Sequence, residues 1–193
     1  MNIINVFRNP ETATRLPLAS DRLMQAKAAY NTRRVDLSHA TQLLTGPVTP
    51  LAGDLVLASV EAIGQHTRIE LASGRRAQLH VGDELIVSYG NRYAPDQFEA
   101  YVPEDLSPCH LVAAGGVAAR SVNRHKKMKR ATRITPIGLL ADGRGRALNL
   151  RDYALVPAQS ETEGRRPFTI AVIGTAMNAG KTTTVTNLVR GYK

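Results

Sequence analysis

Apolar and polar residues alternate over most of residues 54–90, and the spacing predicts a series of short strands. In "DLVLASVEAI", 54–63, Leu55 and Leu57 alternate with their neighbours. In "HTRIEL", 66–71, Thr67, Ile69 and Leu71 share one face. "ASGR", 72–75, reads as a hairpin turn and "RAQLHV", 76–81, as the returning strand. Gly82-Asp83 marks another turn before "ELIVSYG", 84–90. Strands this short and this close predict a small antiparallel barrel or sandwich.

The flanking segments are less regular. Residues 1–18 alternate weakly around two prolines and read as an extended arm with room for one short strand. Ser20 or Asp21 suits the cap of a short helix through 22–31, with Leu23, Ala26, Ala29 and Tyr30 on one face. "LLTGPVTPLAGD", 43–54, is turn chemistry. Residues 91–108, with three prolines, read as a long surface excursion. The stretch 109–122 is apolar around Gly115-Gly116, and 132–150 reads as two strands around an Asp142-Gly143 turn. "AQSETEGRRP", 158–167, is polar, ends in proline and reads as a domain linker. No period of 20–50 residues recurs.

The pattern changes after the linker. "FTIAVI", 168–173, is an unbroken apolar run, as in a strand buried on both faces of a parallel sheet. From Lys181 onward, Val185, Leu188, Val189 and Tyr192 fall on one helical face. The predicted fold class is therefore α+β. A β-rich domain over 46–157 follows the arm and short helix of 1–45. The start of an α/β domain follows the linker, over 168–193.

Composition narrows the class. The chain has 193 residues, of which 43% are hydrophobic, enough to build a packed core without Trp. One cysteine, Cys109, excludes an internal disulfide framework. The N-terminus lacks the pattern of a signal peptide, and no apolar run approaches the ~20 residues of a spanning helix. The expected compartment is the cytoplasm, with no membrane partner. The net charge of +9 favours polyanions as partners.

The strongest chemical signal is Gly174-Thr175-Ala176-Met177-Asn178-Ala179-Gly180-Lys181-Thr182-Thr183. A phosphate loop needs glycine where the backbone turns tightly against phosphate oxygens. Its amides then point at the anion beside a helix N-terminus. Lys181 reaches the terminal phosphates in such a loop, and the Thr182 hydroxyl ligates Mg²⁺. Five residues separate Gly174 from Gly180-Lys181, one more than the usual pattern.

With that spacing, "GTAMNAGKTTT" resembles the phosphate loop of dethiobiotin synthetase and its relatives. Gly174, Thr175, Gly180, Lys181 and Thr182 match their motif. "GKTTTVTNL" is also similar to the helix start of ParA/MinD-type ATPases and of signal-recognition-particle GTPases. Ala176 stands where the dethiobiotin synthetase loop has an aspartate and the ParA/MinD loop its signature lysine. The resemblance spans about 20 residues and implies a P-loop NTPase. It implies ATP or GTP with Mg²⁺ as cofactors, held by Gly174, Thr175, Asn178, Ala179, Gly180, Lys181, Thr182 and Thr183. Lys181 takes the catalytic role and Thr182 the metal.

A P-loop domain also needs further parallel strands, a second carboxylate for Mg²⁺ and a residue that positions the attacking group. The expectation is that this chain is the N-terminal portion of a longer ATPase, or of an ATP-dependent synthetase or kinase. It is then inactive alone, and the native protein is heavier than 20.9 kDa. The expected partners are a nucleotide, the remainder of the NTPase domain or another chain covering 168–193, and a second copy in a homodimer.

The alternative is a complete, basic β-domain binding module whose phosphate loop is a non-catalytic remnant. It rests on "RSVNRHKKMKRATR", 120–133. Arg120, Arg124, Lys126, Lys127, Lys129, Arg130 and Arg133 occur there with no acid between them. This run suits a polyanion such as nucleic acid. It equally suits a solvated loop or a face meeting an acidic protein partner. No aromatic interrupts it, so the run itself does not indicate base stacking. Cys109-His110, the pair His66 and His80, and the acids Asp83, Glu84, Asp96, Glu99, Glu104 and Asp105 are further candidates. None has the spacing of a metal site, and Cys109 as a nucleophile needs a positioned base. "YGNRYAPDQ", 89–97, is rich in groups able to recognise a small ligand.

Overall fold

A computed structural model describes residues 13–155, 168–174 and 178–192. Residues 1–12 of the expected arm, the whole linker 158–167 and Thr175 lie outside the described residues. The structure is mostly β. Its strands in chain order are β1 (Thr14–Pro17), β2 (Lys27–Ala28), β3 (Gln42–Thr45), β4 (Leu55–Ala62), β5 (Arg68–Glu70), β6 (Arg76–Gln78), β7 (Glu84–Tyr89), β8 (Arg92–Tyr93), β9 (Phe98–Tyr101), β10 (Cys109–Ala113), β11 (Val117–Arg124) and β12 (Thr132–Ala141). Two α-helices, α1 (Ser20–Gln25) and α2 (Lys181–Gly191), complete it, with short 3₁₀ turns at Tyr30–Thr32, Leu37–His39 and Leu150–Tyr153.

Strand pairing closes on itself. β12 pairs with β4, β4 with β7, β7 with β11, β11 with β10, and β10 with β12 again. A closed ring leaves no edge among those five strands. The expected antiparallel arrangement needs one correction: β7–β11 and β2–β7 are parallel. β1 and β3 extend the sheet beyond β12, while β9 and β8 extend it beyond β11. β5 and β6 form a separate two-stranded sheet.

The ring encloses the first core. Val56, Ala58 and Val60 of β4, Leu85, Val87 and Tyr89 of β7, and Leu111, Ala118, Ile134 and Leu139 all belong to it. The intervening residues Leu55, Leu57, Ile86 and Leu140 are buried as well, in a second cluster with Leu18, Leu23, Val35 and Leu148. β4 and β7 are thus covered on both faces. This is why they read as nearly continuous apolar runs rather than clean alternation. At the rim of this second cluster, the Asn149 amide donates to Asp54 Oδ1 at 2.8 Å and to the Ala52 carbonyl at 3.0 Å, tying residues 52–54 to 149.

Several expectations change. The helix predicted over 22–31 ends at Gln25, and its cap is Ala19, with no side-chain bond. Lys27 and Ala28 are extended and pair with β7, because joining the sheet outweighs the helix propensity of the alanines. The described part of 1–45 therefore belongs to the sheet through β1, β2 and β3. The surface excursion over 91–108 holds β8 and β9, with Ala94, Phe98 and Ala100 buried. Of the two strands read in 132–150, the first is the single long β12, and the return contributes only bridges at Ala147 and Asn149.

The expected strand over 168–173 has no strand pairing among the described residues. A strand needs a hydrogen-bonded neighbour to persist. The helix is present. Phe168, Ile170, Ile173, Val185, Leu188, Val189 and Tyr192 are 45–89% exposed.

Candidate functional site

Three local features build the phosphate-loop segment. Gly180 takes a left-handed conformation, φ 81°, at the N-cap of α2, which glycine adopts without strain. Asn178 also has positive φ, 63°, a conformation that asparagine tolerates better than most residues. Gly174 lies against the stem of Lys181: a Cβ there would sit 3.0 Å from Lys181 Cγ and 3.1 Å from Ala179 Cβ. Any side chain at 174 would therefore crowd the stem of Lys181.

α2 begins at Lys181, and its first backbone bond runs from the Thr184 amide to the Gly180 carbonyl, 2.9 Å. The amides of the first turn lack intrahelical acceptors, as at any helix start. No acid stands in that turn, which keeps the partial positive charge of the helix end from being offset within the helix. The Thr184 and Thr186 hydroxyls bond back to the carbonyls of Gly180 and Thr182. Of the predicted site, the structure thus brings together Gly174, Ala179, Gly180 and Lys181, with Thr182 and Thr183 in the first turn of α2. The Asn178 amide meets the Asp96 carboxylate of the β8–β9 turn.

The other candidates separate. Cys109 is fully buried beside Tyr89, and burial pushes its thiol up to about 12. Burial likewise raises the Tyr89 hydroxyl. The thiolate fraction at pH 8 is then roughly a thousandfold below that of an ordinary cysteine. Iodoacetamide at pH 8 is expected to leave the native protein unlabelled while the urea-unfolded chain reacts within minutes. Rapid native labelling, read by mass spectrometry, would count against this burial. The nucleophile reading of Cys109 is not supported.

His66 and His80 do not face one another as ligands. His66 Nδ1 lies 3.1 Å from the Leu111 carbonyl, and its ring tilts against Phe98. Burial, and then the nearby Arg92, lower its pKa. His80 is exposed, 3.7 Å from Asp83. The acids are dispersed into separate contacts: Asp83 with Lys27, Glu84 with Arg22, Glu99 with Tyr101 and Asp105 with the Ser107 amide. No group of three metal-ligating side chains occurs among the described residues.

The basic run is a braced structure. Arg120 and Arg124 lie on β11, and Lys126–Arg130 form the turn into β12. The His125 amide donates to the Gln97 carbonyl at 2.8 Å, Gln65 N–H to the Arg130 carbonyl at 2.8 Å and Lys129 N–H to Gln65 Oε1 at 3.0 Å. Gly64 lies so close beneath that a Cβ would fall 2.2 Å from the Arg130 carbonyl oxygen. The run contains no aromatic, yet strand pairing places Tyr101 of β9 opposite Arg120. Tyr93 of β8 stands opposite Glu99. Reading the run alone missed these tyrosines. The alternation in "FEAY", 98–101, was the available signal.

No helix among the described residues is long and apolar enough to cross a membrane. No family model, no curated protein and no solved structure matches this chain.

Proposed function

We propose that residues 174–183 bind the phosphates of a nucleotide, ATP or GTP, together with Mg²⁺. The observation that carries this reading is the loop itself: Gly174, five residues, then Gly180-Lys181-Thr182, with left-handed Gly180 opening α2 and Gly174 seated on Lys181. In this reading the first-turn amides and Lys181 hold the phosphate oxygens. Thr182 gives one hydroxyl to Mg²⁺, which on binding neutralises phosphate charge. No acid occurs in 168–193, so further Mg²⁺ ligands come from elsewhere.

The same reading accounts for the exposed apolar side chains of 168–173 and α2. In a P-loop domain such a unit is covered by further parallel strands. These come from the remainder of an ATP-dependent enzyme or from another chain.

Titration calorimetry with ATP, ADP and AMP tests the reading. Affinity is expected to fall as phosphates are removed, most sharply from ADP to AMP, and Mg²⁺ is expected to strengthen ATP binding. Equal affinity for all three would mean that the loop does not read phosphate.

A further inference from the structure

Beyond Ala119, β11 leaves the ring and continues in a small sheet with β9 and β8. One face of this sheet is closed: Phe98, Ala100, Val112 and Ala119 are buried there, with Met128 and Ala131 packed over them. The other face is open. Tyr93 is 66% exposed and Tyr101 49% exposed, and Arg120 beside them is also exposed.

The strand register sets their spacing. Tyr93 pairs with Glu99, and Tyr101 lies two residues further along the same strand. The two rings thus hold diagonal positions on one face, about 7 Å apart at Cβ. Between Tyr93 and the basic turn lies a groove of about 370 Å³, lined by Gln97, Glu99, Asn123, Arg124 and Lys126. A second groove, of about 360 Å³, continues past Arg124 to His110 and Arg130.

The chemistry of these grooves is mixed in a specific way. Aromatic faces stand at one side. Amide and carboxylate groups able to pair with base edges lie in the middle. The other side is a run of exposed cations on a turn whose backbone is tied to Gln65 and Gln97. Some acids share the region: Glu99 accepts from the Tyr101 hydroxyl at 2.7 Å, Asp105 lies near Arg120, and Glu61 pairs with Arg133 at 2.9 Å. None of them interrupts the run from Lys126 to Arg130, whereas Arg124 stands opposite Phe98 in the register and its guanidinium donates to the Met128 carbonyl.

We propose that this face binds single-stranded nucleic acid. Bases stack on Tyr93 and Tyr101, and the phosphates follow Arg120, Lys126, Lys127, Lys129 and Arg130. The faces of unpaired bases are open to tyrosine, whereas a duplex hides them within its stack.

Fluorescence anisotropy on the full chain tests the proposal, with labelled oligouridylate and oligothymidylate, a duplex and heparin as probes, without ATP or Mg²⁺. Both single strands are expected to bind more tightly than the duplex. Tighter binding of the uridylate would identify RNA as the preferred source, and of the thymidylate, DNA. The affinity is expected to fall with salt at a logarithmic slope of about −3.5, from five phosphate contacts at roughly −0.7 each. Tyr93→Leu and Tyr101→Leu should each weaken single-strand binding about tenfold at fixed salt and leave the slope unchanged. Lys126→Gln with Lys127→Gln should reduce the slope by about 1.4. Thermal melts of the exposed-site variants identify any that misfold. Duplex or heparin binding as tight as the single strands, with the tyrosine variants unaltered, would overturn the proposal in favour of a general polyanion or acidic-protein surface. A flat salt response would overturn it outright.

Discussion

Lys181→Ala is expected to weaken ATP binding by roughly a hundredfold, equivalent to about 3 kcal/mol for a charge-assisted contact to phosphate. The argument starts from position. Lys181 is the first residue of α2, and its stem lies against Gly174. An ammonium there adds a full positive charge to the partial charge of the helix end. The alanine variant keeps the helix, for which alanine has the best propensity, and removes only the charge and its reach. Lys181 is also remote from the ring core, so the melting temperature of the β domain should be unchanged. Calorimetric titration together with a thermal melt separates the two effects. Unaltered ATP affinity would sink the phosphate-loop reading, whereas lost affinity with a lowered melting temperature would point to an indirect effect.

Gly116→Val is expected to destabilise the fold by about 3 kcal/mol or more, lowering the melting temperature by roughly 10 °C. Gly116 has φ 108°, a left-handed conformation that a β-branched residue resists. A Cβ there would fall 2.2 Å from Ala29 Cβ and 2.5 Å from Asn31 Oδ1. Neither neighbour can withdraw easily. Ala29 is fully buried, and the Asn31 amide donates to the Ser88 hydroxyl at 2.7 Å and the Gly116 carbonyl at 2.8 Å. The Ser88 N–H also donates to that carbonyl, at 3.0 Å. These bonds fasten the start of β11 to β7, the parallel contact that closes the ring. Gly115→Ala is the control. It has open space around its would-be Cβ and no positive φ, so it should be nearly neutral. Equal melting temperatures for Gly116→Val and the native chain would contradict the packing described between β11 and residues 29–31.

Short-range chemistry was legible in the sequence. Alternation located β4, β5, β6 and β7, and the turns at 72–75 and 82–83. The apolar stretch around Gly115-Gly116 was legible, but its pairing as the β10–β11 hairpin was not. Helix periodicity located α2, and ten contiguous residues carried the phosphate-loop pattern. Each of these signals depends on neighbours along the chain, where geometry is fixed by residue type and spacing.

The sequence by itself thus determined a β-rich body, a candidate phosphate loop and a basic run. Only the tertiary structure decided what those parts meet. Lys27 and Ala28 gave up a helical pattern because β7 offered backbone partners, a gain invisible in local propensity. The prolines at 95, 103 and 108 masked β8 and β9, although only edge pairing was needed to form them. Tyr93 and Tyr101 precede the basic run by some 20 residues or more and reach it through the register of β8, β9 and β11. Strand pairing is non-local: hydrogen bonds and shared burial between distant segments set which faces coincide, and no local pattern encodes that choice.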